Sequence, residues 1–469
     1  CVICHYKQSD FAIIMSTPNE QSAHSRRSFL KNTSTTAAGL SLLGTLGLER
    51  AVHAASDDTI KIALVGCGNR GSGAVHDALH APNVKLVAMA DVFPNRIKGS
   101  LSALSGGVDD DPTAAKQVHL KGAKGQINKI DVPTERQFVG LDAYKKAMEL
   151  ADYVIIAGPP GFRAVHFEEA VRQGKNIFME KPLATDAPSI RRIIAANKIA
   201  KEKNLKCGVG FQRRHENSYN ELIKRVHNGD IGDVLAMRVY WRGGSRGGLE
   251  KLPGETELQY QLRNWYFFTY LSGDHIVEQH CHQFDVAHWI KGTHPIAAHG
   301  LGGRQVRTGP MHGQIFDHHS VEFEYADGSR LFSECSQIPK LWGDVSEHAI
   351  GTKGLADFGG ANRTRITGAN AFRYKGPNNE PYVQEHLDLL KAIRNNEKYN
   401  EVDDAAISTM TAIMGRMATY SGERIDWDDA FNSKLELMPS ITSWSDKPAV
   451  MPMADGNYPV AVPGETRVL

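Results

Sequence analysis

The sequence predicts an α/β protein: a doubly wound parallel sheet, then an α+β domain with an open antiparallel sheet. Three observations predict it. Short apolar runs alternate with helical segments through the first half, a glycine-rich turn joins the first run to the first helix, and beyond Arg213 the apolar pattern changes to period two. A length of 469 residues suits two or three domains. Hydrophobic residues at 41% and charged residues at 23% exclude wholesale disorder. Lys+Arg 54 against Asp+Glu 53 leaves a net charge of +1, so no nucleic-acid partner is expected.

The amino terminus reads as an address. Ser25-Arg26-Arg27-Ser28-Phe29-Leu30-Lys31 precedes a mildly apolar stretch, Thr35 to Leu48, and then Val52-His53-Ala54-Ala55. Paired arginines, a short apolar region and small residues at a cleavage point resemble a twin-arginine export signal. The stretch is too short and too rich in Gly, Ser and Thr to span a bilayer. Residues 1–55 are therefore expected to be a presequence, the export machinery a partner, and the mature protein periplasmic. The six cysteines are scattered; Cys1 and Cys4 have a redox spacing but precede Met15, the expected start.

In the mature chain Ile60–Val65, Val84–Ala90, Tyr153–Ala157, Asn176–Met179 and Lys206–Gly210 read as buried parallel strands. The polar stretch from Gly99 to Asp131 reads as a surface insertion. Val234–Trp241 and Ser320–Tyr325 alternate, and Asp327-Gly328 is a hairpin turn into Arg330–Ser333. Tyr382–Asn395 and Asp403–Ser421 read as helices. The expected units are residues 57–212, residues 213–438, and a proline-rich arm over residues 439–469.

Gly66-x-Gly68-x-x-Gly71 lies between the first strand and a helix, and Asp91 stands 20 residues after Gly71. That context is the Rossmann dinucleotide fingerprint: Gly66 for the tight turn, Gly68 for close approach of a pyrophosphate, Gly71 for helix–strand packing. Asn69 and Arg70 start the helix whose free N–H groups would face the phosphates. Asp91 would accept the adenosine ribose hydroxyls and repel a 2′-phosphate, which favours NAD over NADP. Arg96 is the nearby hint the other way.

Gly174 to Leu183 is a strand ending in Glu180-Lys181-Pro182, and a lysine at that end of a parallel strand faces the ligand crevice. With this motif the chain resembles the glucose–fructose oxidoreductase/inositol dehydrogenase family (Gfo/Idh/MocA). Ala157-Gly158-Pro159 with His166, Gly210-Phe-Gln212-Arg213-Arg214, Asn228–Gly232 and Gly351–Gly354 resemble further family segments, so the likeness spans roughly Ile60 to Ala430. It implies that Pro159, His166, Glu180, Lys181 and Pro182 help to hold the dinucleotide.

Ser272 to Trp289 resembles the family's D-x-x-x-H-x-x-D-x-x-x-W. On that register His282 takes the catalytic histidine, Asp285 the following acid and Trp289 the tryptophan. Glu278 stands where the family usually has aspartate, and His280 where it has a small residue. Residues four apart share a helix face, so Glu278 and His282 are expected to meet one ligand. Histidine suits the base that removes an alcohol proton, and Lys181 can polarise the same oxygen; the sequence leaves open which carries the proton. Glu278 completes the expected catalytic set. Arg213, Trp265, Tyr266, His280 and Asp285 are the expected substrate contacts. A metal cluster of Glu278, His280 and His282 with His318 and His319 is the alternative reading, but no metal is expected. The resemblance implies an exported NAD-dependent oxidoreductase acting on a sugar, sugar derivative or polyol hydroxyl. An NAD-dependent glycosidase using transient oxidation is the alternative, and a homo-oligomer is expected.

Overall fold

The computed structural model describes residues 59–106, 129–244, 246–360 and 363–469. The expected presequence, with Arg26 and Arg27, lies outside the described residues, as does the centre of the expected insertion.

The first half is built as strand–helix repeats: β1 (Ile60–Val65), α1 (Asn69–Ala78), β2 (Val84–Asp91), α2 (Pro94–Leu104), β3 (Gln137–Val139), α3 (Ala143–Glu149), β4 (Tyr153–Ile156), α4 (Arg163–Arg172), β5 (Asn176–Met179), α5 (Ala187–Glu202) and β6 (Cys207–Val209). The sheet order is β3-β2-β1-β4-β5-β6, and every pairing is parallel. Its central strands are apolar on both faces because helices cover both. Such a sheet binds ligands outside the carboxyl ends of its strands, where the order reverses between β1 and β4.

The reading of Gly99–Asp131 as a surface insertion is corrected at both ends. Gly99 to Leu104 continue α2, because Ile97 and Leu104 pack inward and Ser72 Oγ donates to Ser100 Oγ at 2.7 Å. Ile130 bridges to Leu86, and Asp131 N donates to Leu86 O at 2.8 Å.

The second half runs α6 (Asn217–His227), β7 (Val234–Arg242), α7 (Glu257–Arg263), α8 (Thr269–Ser272), α9 (His275–Glu278), α10 (Cys281–Lys291), β8 (Ala297–Gly303), β9 (His318–Glu324), β10 (Arg330–Ser336), β11 (Asp344–Gly351), β12 (Gly354–Phe358), β13 (Arg365–Gly368), β14 (Phe372–Arg373), α11 (Pro381–Arg394), α12 (Val402–Ser421), β15 (Ile425–Asp426) and α13 (Trp427–Asn432). Among the described residues its nine strands are ordered β14-β13-β12-β11-β7-β10-β9-β8-β15. The sheet is mixed rather than purely antiparallel: β7 and β10 run parallel, since they are joined by a long crossover and not a hairpin. Met237, Val239, Leu331 and Phe323 face the helical layer. Arg238, Leu301, Phe332 and Leu355 occupy the opposite, open face.

Helix α12 has Arg416 as its one charged residue beyond the first turn, mixes apolar residues with Ser and Thr, and is buried along nearly its whole length. It lies against α5, α10 and β8, and so touches both sheets' helical layers. After Ser433 the chain has no further helix or strand, yet Val450, Tyr458 and Val468 are buried.

Candidate active site

The glycine turn has the shape that the fingerprint requires. Gly66 has φ +92°, the left-handed region, and a side chain there would strike the backbone of Ala157 and Gly158. A Cβ at Gly71 would overlap the carbonyl oxygen of Gly66. Around Gly68, by contrast, a Cβ would meet nothing within 4 Å. The protein thus fills the space beside the first and third glycines and leaves the second open, at the amino terminus of α1, where N–H groups favour an anion. A dinucleotide's pyrophosphate fits that opening.

Asp91 closes β2 on the same edge. One of its carboxylate oxygens accepts from Cys67 N at 2.7 Å and the other from Phe93 N at 2.9 Å. Each keeps a free lone pair for a ribose hydroxyl. Burial lifts this carboxyl above its ordinary value, against the backbone donors Phe93, Cys67 and Val92 and the charge of Arg96. Asn69 is exposed at the start of α1. Arg70 turns toward β5, donating to Glu180 at 2.7 Å and to Asp77 at 3.0 Å, with Tyr382 stacked under its guanidinium. Pro159 lies in the loop after β4. His166 is stacked on Phe162 beneath Gly158, and burial holds its pKa down at about 3, so it is neutral.

At the end of β5 the Lys181–Pro182 bond is cis. Lys181 Nζ donates to the backbone oxygen of Glu278 at 2.6 Å and lies 3.5 Å from its carboxylate. Burial penalises the ammonium, but Glu278, helped by Cys281, Glu180 and Tyr382, outweighs it, and the Lys181 pKa is raised. His282 opens α10 between Trp241, stacked 6.0 Å away, and the edge of Phe211. Its Nδ1 is buried without a partner. Burial, and then the cations Lys181, Arg213 and Arg70, hold it well below the ordinary histidine range. The site therefore pairs a charged lysine with a neutral histidine.

The structure brings Lys181, Glu278 and His282 together, but not along one helix face. Chain Glu278–His282 is broken: α9 stops at Glu278, and Gln279 and His280 make a turn before α10. The expectation of a continuous helix is corrected; convergence comes instead from Lys181 grasping the carbonyl that α9 leaves free at its carboxyl end. Glu278 Oε2 has no partner.

The expected substrate contacts divide. Tyr266 lies close enough to Glu278 to feel its charge, and its hydroxyl accepts from Gln337 Nε2 at 2.7 Å. Trp265 packs beside it, with Arg246 over both rings. Arg213 stands near His282 but is bonded to the buried Glu347, whose other oxygen accepts from Tyr219. His280 points into the second domain's core and bonds to Ser333 at 2.8 Å. Asp285 is held by a two-pronged bond from Arg214 and by Ser408. The alternative metal cluster is not assembled: His280 binds Ser333, His318 binds Asp317 and His319 binds Thr419. Among the described residues, Asp274, His275 and His319 have metal-like proximity, but Asp274 already accepts from Phe316 N and Tyr420 as well as His275.

Phe211, Trp241 and Tyr382 also line the site, and no sequence motif marks them. Trp241 is legible only as one position in an alternating strand.

Residues 60–211 match the oxidoreductase family with an NAD-binding Rossmann fold, and residues 219–357 match the GFO/IDH/MocA C-terminal domain. The chain belongs to the Gfo/Idh/MocA family. It is an NAD-dependent oxidoreductase acting on CH–OH groups. It is 25% identical over 291 residues to scyllo-inositol 2-dehydrogenase (NAD(+)) of Bacillus subtilis, an alignment covering 59% of this chain and 78% of that one. It is also 25% identical over 296 residues to inositol 2-dehydrogenase of Rhizobium meliloti, covering 63% and 74%. Among solved structures, scyllo-inositol dehydrogenase from Lactobacillus casei, with bound NAD(H) and scyllo-inositol, shares the fold at a TM-score of 0.57 and 19% identity, covering 79% of this chain and 100% of that one. In this Gfo/Idh/MocA member, Gly66, Gly68, Gly71 and Asp91 all fall within the matched Rossmann segment, near the carboxyl ends of β1 and β2.

Proposed function

We propose that the chain oxidises a ring carbinol of an inositol-type polyol or a sugar, with His282 as the base and Lys181 as the cation on the reacting oxygen. One observation carries this reading: a neutral imidazole with an unpartnered Nδ1 stands beside a lysine ammonium at the strand end that borders the dinucleotide crevice. NAD, when bound, supplies the hydride acceptor. Lys181 donates toward the substrate oxygen and stabilises its developing negative charge. His282 takes the hydroxyl proton, because its environment keeps it unprotonated at neutral pH. Glu278 holds Lys181 in place through its carbonyl, and its free Oε2 is available to a second hydroxyl. Tyr266 and Trp265 provide aromatic walls for a ring.

The test is single-turnover formation of NADH with scyllo-inositol, myo-inositol, aldoses and aryl glycosides. Reduced nucleotide in proportion to enzyme with a polyol or sugar supports the reading. Glycoside cleavage without net NADH makes the protein the glycosidase variant, which begins with the same step. The absence of both nucleotide reduction and glycoside cleavage with all of them overturns both readings.

Export to the periplasm forms part of the same proposal, and rests on Ser25-Arg26-Arg27 and the apolar stretch that follows. Replacing Arg26 and Arg27 by lysine is expected to retain the precursor in the cytoplasm; unchanged fractionation would remove the twin-arginine reading. Self-association through the open sheet face, where Leu301, Phe332 and Leu355 are exposed, belongs to the proposal too.

A further inference from the structure

The segment after α13 crosses the dinucleotide end of the first sheet. Leu437 N and Met438 N donate to the buried Asp186 carboxylate at 2.8 and 3.3 Å. Met438 packs on Gly161, in the turn that follows β4. Beyond it, Ile441 and Trp444 join one apolar cluster with Phe93, Leu141 and Phe162. Those three residues follow the ends of β2, β3 and β4. The Trp444 and Phe93 rings are 6.0 Å apart, and the Phe93 amide is the one bound to the Asp91 carboxylate. A small turn presents the tryptophan: Asp446 Oδ2 accepts from Thr442 N at 2.7 Å and Ser443 N at 2.8 Å. Further along, Gln261 Nε2 donates to Val450 O at 2.8 Å, and Tyr458 packs edge-on to Phe268 and bonds to Glu257. The arm is thus fixed on both sides of Trp444.

Adenosine occupies the crevice beside the acid that ends β2, so this edge is the adenosine half of the site. We propose that the carboxyl-terminal arm is part of the nucleotide site: Trp444, braced by Phe93, closes its adenosine end and slows release of NAD. The inference deepens the reading of the dinucleotide crevice and rests on it. Both aromatic rings are half-buried, so each retains a surface that a purine can cover. Base–aromatic stacking needs no sequence-specific polar contact.

The test uses the full chain loaded with NADH and follows loss of its bound fluorescence on mixing with excess NAD. Trp444→Ala is expected to speed NADH release roughly tenfold or more, the scale of one lost base–aromatic stack. Trp444→Phe should keep most of the retention. Asp446→Ala, a surface change that loosens the turn without touching a core, should give an intermediate rate. Binding of reduced nicotinamide mononucleotide, which lacks the adenosine half, should be the same in all four proteins. Unchanged NADH release in both Trp444→Ala and Asp446→Ala overturns the proposal, as does an equal loss of affinity for the mononucleotide. A parent protein that takes up no NADH overturns the crevice reading itself, a result no arm variant can produce.

Discussion

Lys181→Ala and His282→Ala should each slow single-turnover hydride transfer roughly 10²–10⁴-fold while NADH still binds, because both act on the substrate oxygen. Their effects should not add, since they serve one proton and one oxygen, so the double variant should be little worse than the poorer single one. Glu278→Gln should cost less: the 2.6 Å bond from Lys181 goes to its backbone oxygen, which the substitution leaves in place. The pH profile separates the roles. His282 works only when neutral, and its folded pKa lies well below 6.5, so the acid limb should fall well below pH 6.5. Lys181 works as the ammonium, and its pKa is raised above 10.5, so the alkaline limb should lie beyond pH 10.5. Lys181 is the largest charge acting on His282 after burial; its removal should therefore move the acid limb of the residual activity upward. A parent limb centred at 6.5, or one that stays put in Lys181→Ala, would exclude His282 as the base.

The glycine turn yields the second large effect, and it separates folding from binding. Gly68→Ala places a methyl group in open space, and Gly68 has φ −76°, which alanine adopts freely. Its melting temperature without nucleotide should match the parent's. NADH affinity should drop, because the methyl group takes the room that the pyrophosphate needs; one lost charge-assisted hydrogen bond costs about 1.5–3 kcal/mol, roughly ten- to a hundredfold in Kd. Gly71→Ala should behave differently. Its Cβ meets backbone rather than a mobile side chain, so the turn must shift, and overpacking of this kind costs about 1–3 kcal/mol of stability. Equal melting temperatures for the two variants, or undiminished NADH binding in Gly68→Ala, would show that the opening is not the phosphate seat.

The parts of this site readable in advance are those whose chemistry is local. Gly66, Gly68, Gly71 and Asp91 announce themselves because a turn, a phosphate seat and a ribose acceptor require fixed residue types at fixed spacing. Lys181 is legible for a similar reason, standing at the end of an apolar strand. Contacts between distant segments left no such trace. Arg213 and Glu347 are 134 residues apart, and nothing periodic links them. His280 and Asp285 carry the chemistry of pocket residues, but Ser333 and Arg214 claim them, and only the packed fold shows it. The break at Gln279 and His280 was invisible because neither residue is a strong helix breaker; the helix ends where Lys181 competes for the Glu278 carbonyl. The short strand β3 is not legible because three residues give no periodicity to read.

Helix α11 and the turn after it have a consequence for the order of events during synthesis. Leu389 and Leu390 belong to the same apolar cluster as Ile62, Leu64 and Phe178, and His386 pairs with the Tyr153 hydroxyl at 2.8 Å. Cys207 N donates to Tyr399 O, and Glu401 accepts from Val209 N at 2.8 Å, so β6 gains its outer neighbour from residues nearly two hundred positions later. The nucleotide-binding half therefore lacks one wall when its last strand leaves the ribosome. At roughly 5–20 residues per second the missing wall arrives about 10–40 s afterwards. Through that interval the nascent sheet exposes the apolar face that α11 will cover, a surface for chaperones and for misassembly. Nucleotide loading is in this sense a late step: it waits on a helix translated long after the glycine turn.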